Sequence, residues 1–67
     1  MNEIHKFSRE EEDGSTTYNY AIDYDGIYKT HNNKGPAIVN DTQKLKEYYL
    51  FGLKLEKEVW DKRKKLF

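Results

Sequence analysis

His5 and His31 are the only imidazoles in the 67-residue chain, and they stand 26 positions apart. A metal site draws on three or four protein ligands at characteristic spacings, and neither histidine has such a neighbour. Cysteine is absent, so there is no thiolate chemistry either. His31 precedes Asn32 and Asn33 in a polar stretch that reads as a turn. The run Glu10, Glu11, Glu12, Asp13 has the charge to attract calcium but not the spaced oxygen ligands and glycine of a calcium loop. A solvated acidic turn accounts for it more simply. Ser8 and Ser15 lack the glycine pattern of a nucleophile elbow. Gly14, Gly26, Gly35 and Gly52 are isolated, one per turn, so no phosphate-cradling loop forms. The expectation is a protein that is not an enzyme and carries no cofactor or metal.

Binding chemistry is better represented. Residues 1–25 hold seven acidic and two basic residues, net −5, while residues 26–67 hold five acidic and ten basic residues, net +5. Such asymmetry can mark a binding surface, though opposite signs can also attract within a fold. Glu10, Glu11, Glu12, Asp13, Asp23 and Asp25 could imitate a phosphate backbone and occupy a basic groove. Lys62, Arg63, Lys64 and Lys65 offer the converse, phosphate contacts with Trp60 and Tyr49 as stacking surfaces. Overall neutrality and the acidic front half weigh against a nucleic-acid module, and cations also suit a helix C-terminus without any ligand.

The elements that must position these groups follow from pattern. Hydrophobic and charged residues each make up 36% of the chain, a balance that leans toward disorder, but ten aromatics can assemble a thin core. A chain of this length is one domain, and its core supplies only about 3–5 kcal/mol. "TTYNYAIDY" sets Tyr18, Tyr20, Ile22 and Tyr24 at period two, with Thr17, Asn19, Ala21 and Asp23 on the other face. Asp13-Gly14 and Asp25-Gly26 are hairpin dipeptides on either side of it. "NEIHKFSR" is a weaker strand candidate, because Ile4 and Phe7 do not alternate. "IYKTH" leaves the second turn as a partner strand, Pro36 opens the strand "AIVN", and "LKEYYLF" returns with Tyr48 and Tyr49 pointing to opposite sides. After Gly52 the period changes. Leu55, Val59 and Leu66 suit one helical face, with Trp60 and Phe67 beside them. The fold class is therefore α+β: a small antiparallel sheet of four to five strands with one C-terminal helix of about three turns. The single domain spans residues 1–67, as an acidic hairpin (1–25), a central hairpin unit (26–53) and the helix (54–67).

Within that frame, "GIYKTHNNKGPAIVNDTQKLKEYYLFGLKL" resembles the repeat of MORN-like bacterial and phage proteins, including YwqK-type antitoxin-like repeats. His31, Gly35, Pro36, Ala37, Ile38, Tyr48, Tyr49, Leu50 and Gly52 stand at matching places, and "GLKLEKEVWDK" looks like the terminal segment of the phage versions. Departures are Asn32 where an arginine is expected, Asp41-Thr42-Gln43 without its glycine, and Phe51 for the asparagine before Gly52. One complete unit is present, whereas a solenoid needs about three. The resemblance implies a hairpin contact scaffold rather than a catalyst.

The functional expectation, in which the phage or mobile-element origin is what the resemblance implies, is a small interaction protein that binds and modulates or inhibits a bacterial host protein, as in host takeover or anti-defence. Its binding residues are expected to be Glu10, Glu11, Glu12, Asp13, Tyr18, Tyr20, Asp23, Tyr24 and Asp25. A nucleic-acid-binding or antitoxin module using Lys62, Arg63, Lys64 and Lys65 is one alternative. A structural homo-oligomer, such as a homodimer pairing through the tyrosine strand, is another. The absence of cysteine and of any apolar run in the first twenty residues points to the cytoplasm, with no membrane partner.

Overall fold

Alternating side chains and left-handed turns fold the chain into one six-stranded antiparallel sheet with a short C-terminal helix on one face. The computed structural model describes residues 3–66. Strands β1 (Ile4–Glu10), β2 (Thr16–Tyr24), β3 (Ile27–Thr30), β4 (Ile38–Asn40), β5 (Leu45–Leu50) and β6 (Leu53–Leu55) precede helix α1 (Lys57–Arg63) and a 3₁₀ turn over Lys64–Leu66. The sheet order is β1-β2-β4-β5-β6, with β3 pairing β2 on the same edge as β4. Strand β2 is thus central and paired along both edges.

Six strands replace the expected four to five, for two reasons. β1 is a full partner of β2 over all seven of its residues, Ile4 opposite Ile22 through Glu10 opposite Thr16. Its apolar logic is His5–Phe7, on one face, rather than Ile4–Phe7. The second reason is the Phe51-Gly52 pair, with φ of 50° and 84°. Two consecutive left-handed residues make the tight hairpin turn that matches sheet twist, and it folds residues 53–55 back onto β5 as β6. Leu55 therefore lies in a strand, not on the helix. The helix begins at Lys57 and has seven residues, about two turns rather than three. Phe67 lies outside the described residues.

Strand alternation and the pairing registers divide the sheet into two faces. Tyr18, Tyr20, Ile22, Tyr24, Val39, Tyr48 and Leu55 share one of them. The Trp60 ring lies 4.8 Å from that of Tyr48, so α1 packs on this side, here termed the helix face. His5, Phe7, Arg9, Thr17, Asn19, Ala21, Tyr28, Ile38 and Asn40 share the other. No helix or second sheet layer covers it among the described residues, and it is termed the open face.

Among the described residues, the buried apolar ones are Ala21, Ile22, Ala37, Leu50 and Trp60; Ser15, Thr17, His31, Asn32 and Asn40 are buried with them. With as many polar as apolar groups inside, satisfaction of hydrogen bonds decides stability as much as apolar area does. Two polar knots do this. Around the His31-Asn32 turn, His31 N–H donates to Tyr20 O (2.9 Å) and Asn32 N–H to Tyr49 O (3.1 Å), bridging β2 and β5. His31 Nδ1 accepts from Phe51 N–H (3.0 Å), which identifies a neutral ring with its proton on Nε2. Burial holds the His31 pKa below its usual value of 6.5. The carbonyl of Asn32 accepts from Trp60 Nε1–H at 2.7 Å, fastening α1 to the sheet.

The second knot is centred on Asn40, which is wholly buried. Its amide donates to Ser15 Oγ (2.9 Å) and Thr17 Oγ1 (3.0 Å), and its Oδ1 accepts from Gln43 N–H (3.0 Å). The two hydroxyls in turn donate to Asp13 and to Glu11 (2.7 Å). The turn between β1 and β2 is thereby clipped to the turn between β4 and β5.

Candidate protein-binding face

On the open face three rings meet above a small residue. His5 and Phe7 stand opposite Ala21 and Asn19, and Tyr28 stands opposite Asp23 on the far side of β2. Because Ala21 between them carries only a methyl group, Tyr28 reaches across it. Its ring contacts His5 edge-on at 5.4 Å and Phe7 edge-on at 5.6 Å. The His5 and Phe7 rings are stacked at 6.4 Å. Edge-to-face arrangements at these separations are favourable aromatic geometry. The rings seal Ala21 from water, yet Phe7 remains 45% exposed and Tyr28 55% exposed. The cluster is thus held in place from beneath while presenting its outer surface.

Beside it lies a recess of about 160 Å³ lined by Phe7, Arg9, Thr17, Asn19 and Ile38. The side-chain oxygen of Asn19 is buried here and has no hydrogen-bond donor among the described residues. A buried acceptor left so costs about 1–3 kcal/mol. Exposed rings next to a recess form a surface suited to an apolar group.

The residues singled out from sequence are distributed differently. Glu10 ends β1 and Glu11, Glu12 and Asp13 follow it in the turn at one end of β2, while Asp23 and Asp25 lie at its other end, roughly 25 Å away at strand rise. They do not form one continuous acidic patch. Glu11 and Asp13 are also engaged internally. The Thr17 hydroxyl, then Arg9 at 2.9 Å, hold the Glu11 carboxyl below its usual pKa; Ser15, then Gln43, do the same for Asp13. Tyr18, Tyr20 and Tyr24 do share one face, but it is the helix face. Tyr18 and Tyr20 are half-buried, with the Lys6 ammonium 4.3 Å and 5.9 Å from their ring centres, and only Tyr24 is exposed. Strand β2 has no free edge, so a homodimer cannot form by pairing of the tyrosine strand.

Lys62, Arg63, Lys64 and Lys65 close α1 and the 3₁₀ turn. Four consecutive helical positions point around the axis rather than to one side. Lys64 is drawn inward, paired with Asp61 at 2.9 Å and resting 4.6 Å over the Trp60 ring. Among the described residues no group of three His, Cys, Asp or Glu side chains is placed to hold a metal ion. No helix among them is long and apolar enough to cross a membrane.

Sequence reading missed His5, Phe7, Tyr28 and Asn19. The signal was present: the two Asp-Gly hairpins fix the registers of β1 and β3 against β2, and those registers bring the three rings to one face. Comparison of the chain with protein-family models, with curated proteins and with solved structures finds no match to any of them.

Proposed function

We propose that this chain is a small MORN-like hairpin protein that acts by binding another protein, without catalysis of its own, through the open face of its sheet. The observation that carries this reading is the His5–Phe7–Tyr28 cluster, exposed on a face that no other described element covers and flanked by the recess beside Phe7. Aromatic groups of this kind, rigid and amphipathic, dominate the energetics of protein interfaces. A bacterial host protein is the proposed partner, following the resemblance of residues 26 to about 62 to phage and bacterial repeats. The acidic turn of Glu11, Glu12 and Asp13 borders the same face and would steer a basic partner toward it.

The test compares immobilised wild type with Phe7→Ser, Tyr28→Ser and a charge reversal of Lys62, Arg63 and Lys65 on bacterial lysate. One stoichiometric protein retained by wild type and by the reversed helix, but lost from both ring variants, is the expected pattern. Retention that survives loss of both rings, or nucleic acid retained in a manner dependent on the basic residues, would defeat the reading.

A further inference from the structure

β1, one of the two end strands of the sheet, pairs with β2 along one edge and with no described residue along the other. Its polarity can be read from the neighbouring strand. Tyr20 N–H donates to Ala37 O, and Tyr20 O accepts from His31 N–H, so the backbone of Tyr20 faces away from β1. Its register partner is Lys6. In an antiparallel pair both residues of such a position turn their N–H and C=O outward. The Glu11 N–H, which donates back to Ser15 O at the hairpin end, confirms the phase. Ile4, Lys6, Ser8 and Glu10 therefore present their backbone groups along the free edge. The pairing of β1 to β2 runs unbroken over seven residues, without bulge, proline or covering element. These are the devices that ordinarily block such an edge.

We infer that β1 pairs antiparallel with β1 of a second copy of this chain, about a two-fold axis at Ser8, to form a continuous twelve-stranded sheet. Only registers that set outward-facing residues against each other can form the ladder. An axis at Lys6 would oppose two ammonium groups, an axis at Arg9 two guanidinium groups, and an axis at Glu10 two carboxylates. An axis at Phe7 would set Lys6 against Ser8 and Glu10 against Ile4, leaving both charges without a partner. With the axis at Ser8, Lys6 meets Glu10 of the other copy on one side and Glu10 meets Lys6 on the other. On the opposite face Phe7 meets Arg9, a close, non-hydrogen-bonded position where the guanidinium can lie on the ring. Lys6, the charge that would guard the edge against other strands, is thus neutralised only by this partner. The two-fold makes the contact self-complementary and closed. It also brings two copies of the His5–Phe7–Tyr28 cluster onto one side of a single sheet.

Sedimentation equilibrium on the full chain, with dilution to obtain the dissociation constant, tests this. Wild type is expected to be a dimer that dissociates on dilution. Ser8→Pro removes an N–H that faces the free edge and none that faces β2, so the variant should keep the circular dichroism of wild type and be monomeric. Lys6→Glu and Glu10→Lys each place like charges opposite one another twice and should raise the dissociation constant about tenfold. Combining them restores opposite charges and should restore wild-type affinity. A wild type that stays monomeric at millimolar concentration overturns the inference. So does a dimer insensitive to Ser8→Pro, or one that the charge swap does not rescue.

Discussion

Replacing Asn40 by Asp exchanges one NH₂ for an oxygen with no change of shape, and the structure makes that exchange severe. The amide donates to Ser15 Oγ and Thr17 Oγ1 at 2.9 and 3.0 Å. Both hydroxyls have committed their protons to Asp13 and Glu11, so each can only accept. A carboxylate at position 40 forfeits two bonds, about 1 kcal/mol each, and buries a charge beside two others at a cost of several kcal/mol. Against the roughly 3–5 kcal/mol that a core of this size supplies, Asn40→Asp should be largely unfolded at pH 7. The pH dependence gives the sharper test. Burial and the adjacent carboxylates raise the pKa of the introduced group in the folded state. The folded form then binds a proton that the unfolded chain has already released, and stability falls as pH rises. Lowering the pH from 7 to 5 should therefore refold the variant. Asn40→Ala, which loses three hydrogen bonds worth about 3 kcal/mol together, should show no such gain. Urea titrations followed by far-ultraviolet circular dichroism at the two pH values decide the matter. An Asn40→Asp protein as stable as wild type, or one that loses as much stability as wild type between pH 7 and 5, would refute the hydrogen-bond directions assigned to the knot.

Wild type should respond to acid in the opposite sense. Burial depresses the pKa of His31, so stability is full above the unfolded value near 6.5 and declines as pH falls below it. A second decline should follow below about 4.5, as Glu11 and Asp13, whose carboxyls lie below their usual range, take up protons; His31→Gln should abolish the first phase in urea midpoints and leave the second. Trp60→Phe keeps a ring against Tyr48 but removes the 2.7 Å bond to Asn32 O, and should cost about 1–2 kcal/mol in thermal unfolding. Gly52→Ala, at φ +84° beside the Lys29 side chain, should cost about 1 kcal/mol or more by urea denaturation, because the turn demands a left-handed residue there.

Much of the sheet was legible in the chain itself. The Tyr18–Tyr24 alternation, the two Asp-Gly pairs and Pro36 before "AIVN" specify strands and turns through local backbone preference, and all of these elements form. What failed was local evidence overridden by a neighbour. β1 has little strand signal of its own and exists because β2 offers it an edge. Leu55 fits a helical pattern, yet the Phe51-Gly52 turn commits residues 53–55 to pairing with β5. Phe51 is the instructive residue, since an aromatic at positive φ is disfavoured. The His31 ring 4.4 Å away and the Tyr24 ring at 6.0 Å hold it there, contacts that no local pattern reveals. The candidate face escaped for the same reason: its three rings come from two strands and are joined only by register across a third.

Trp60 has one further consequence. It is the sole buried side chain of a helix only seven residues long, and so short a helix has no stability of its own in water. The C-terminal segment is therefore a latch with one tooth. Its amides should exchange with solvent by a route that leaves the sheet intact, well before those of β2. Indole emission should accordingly report undocking of this latch, with the loss of strand ellipticity following at higher denaturant.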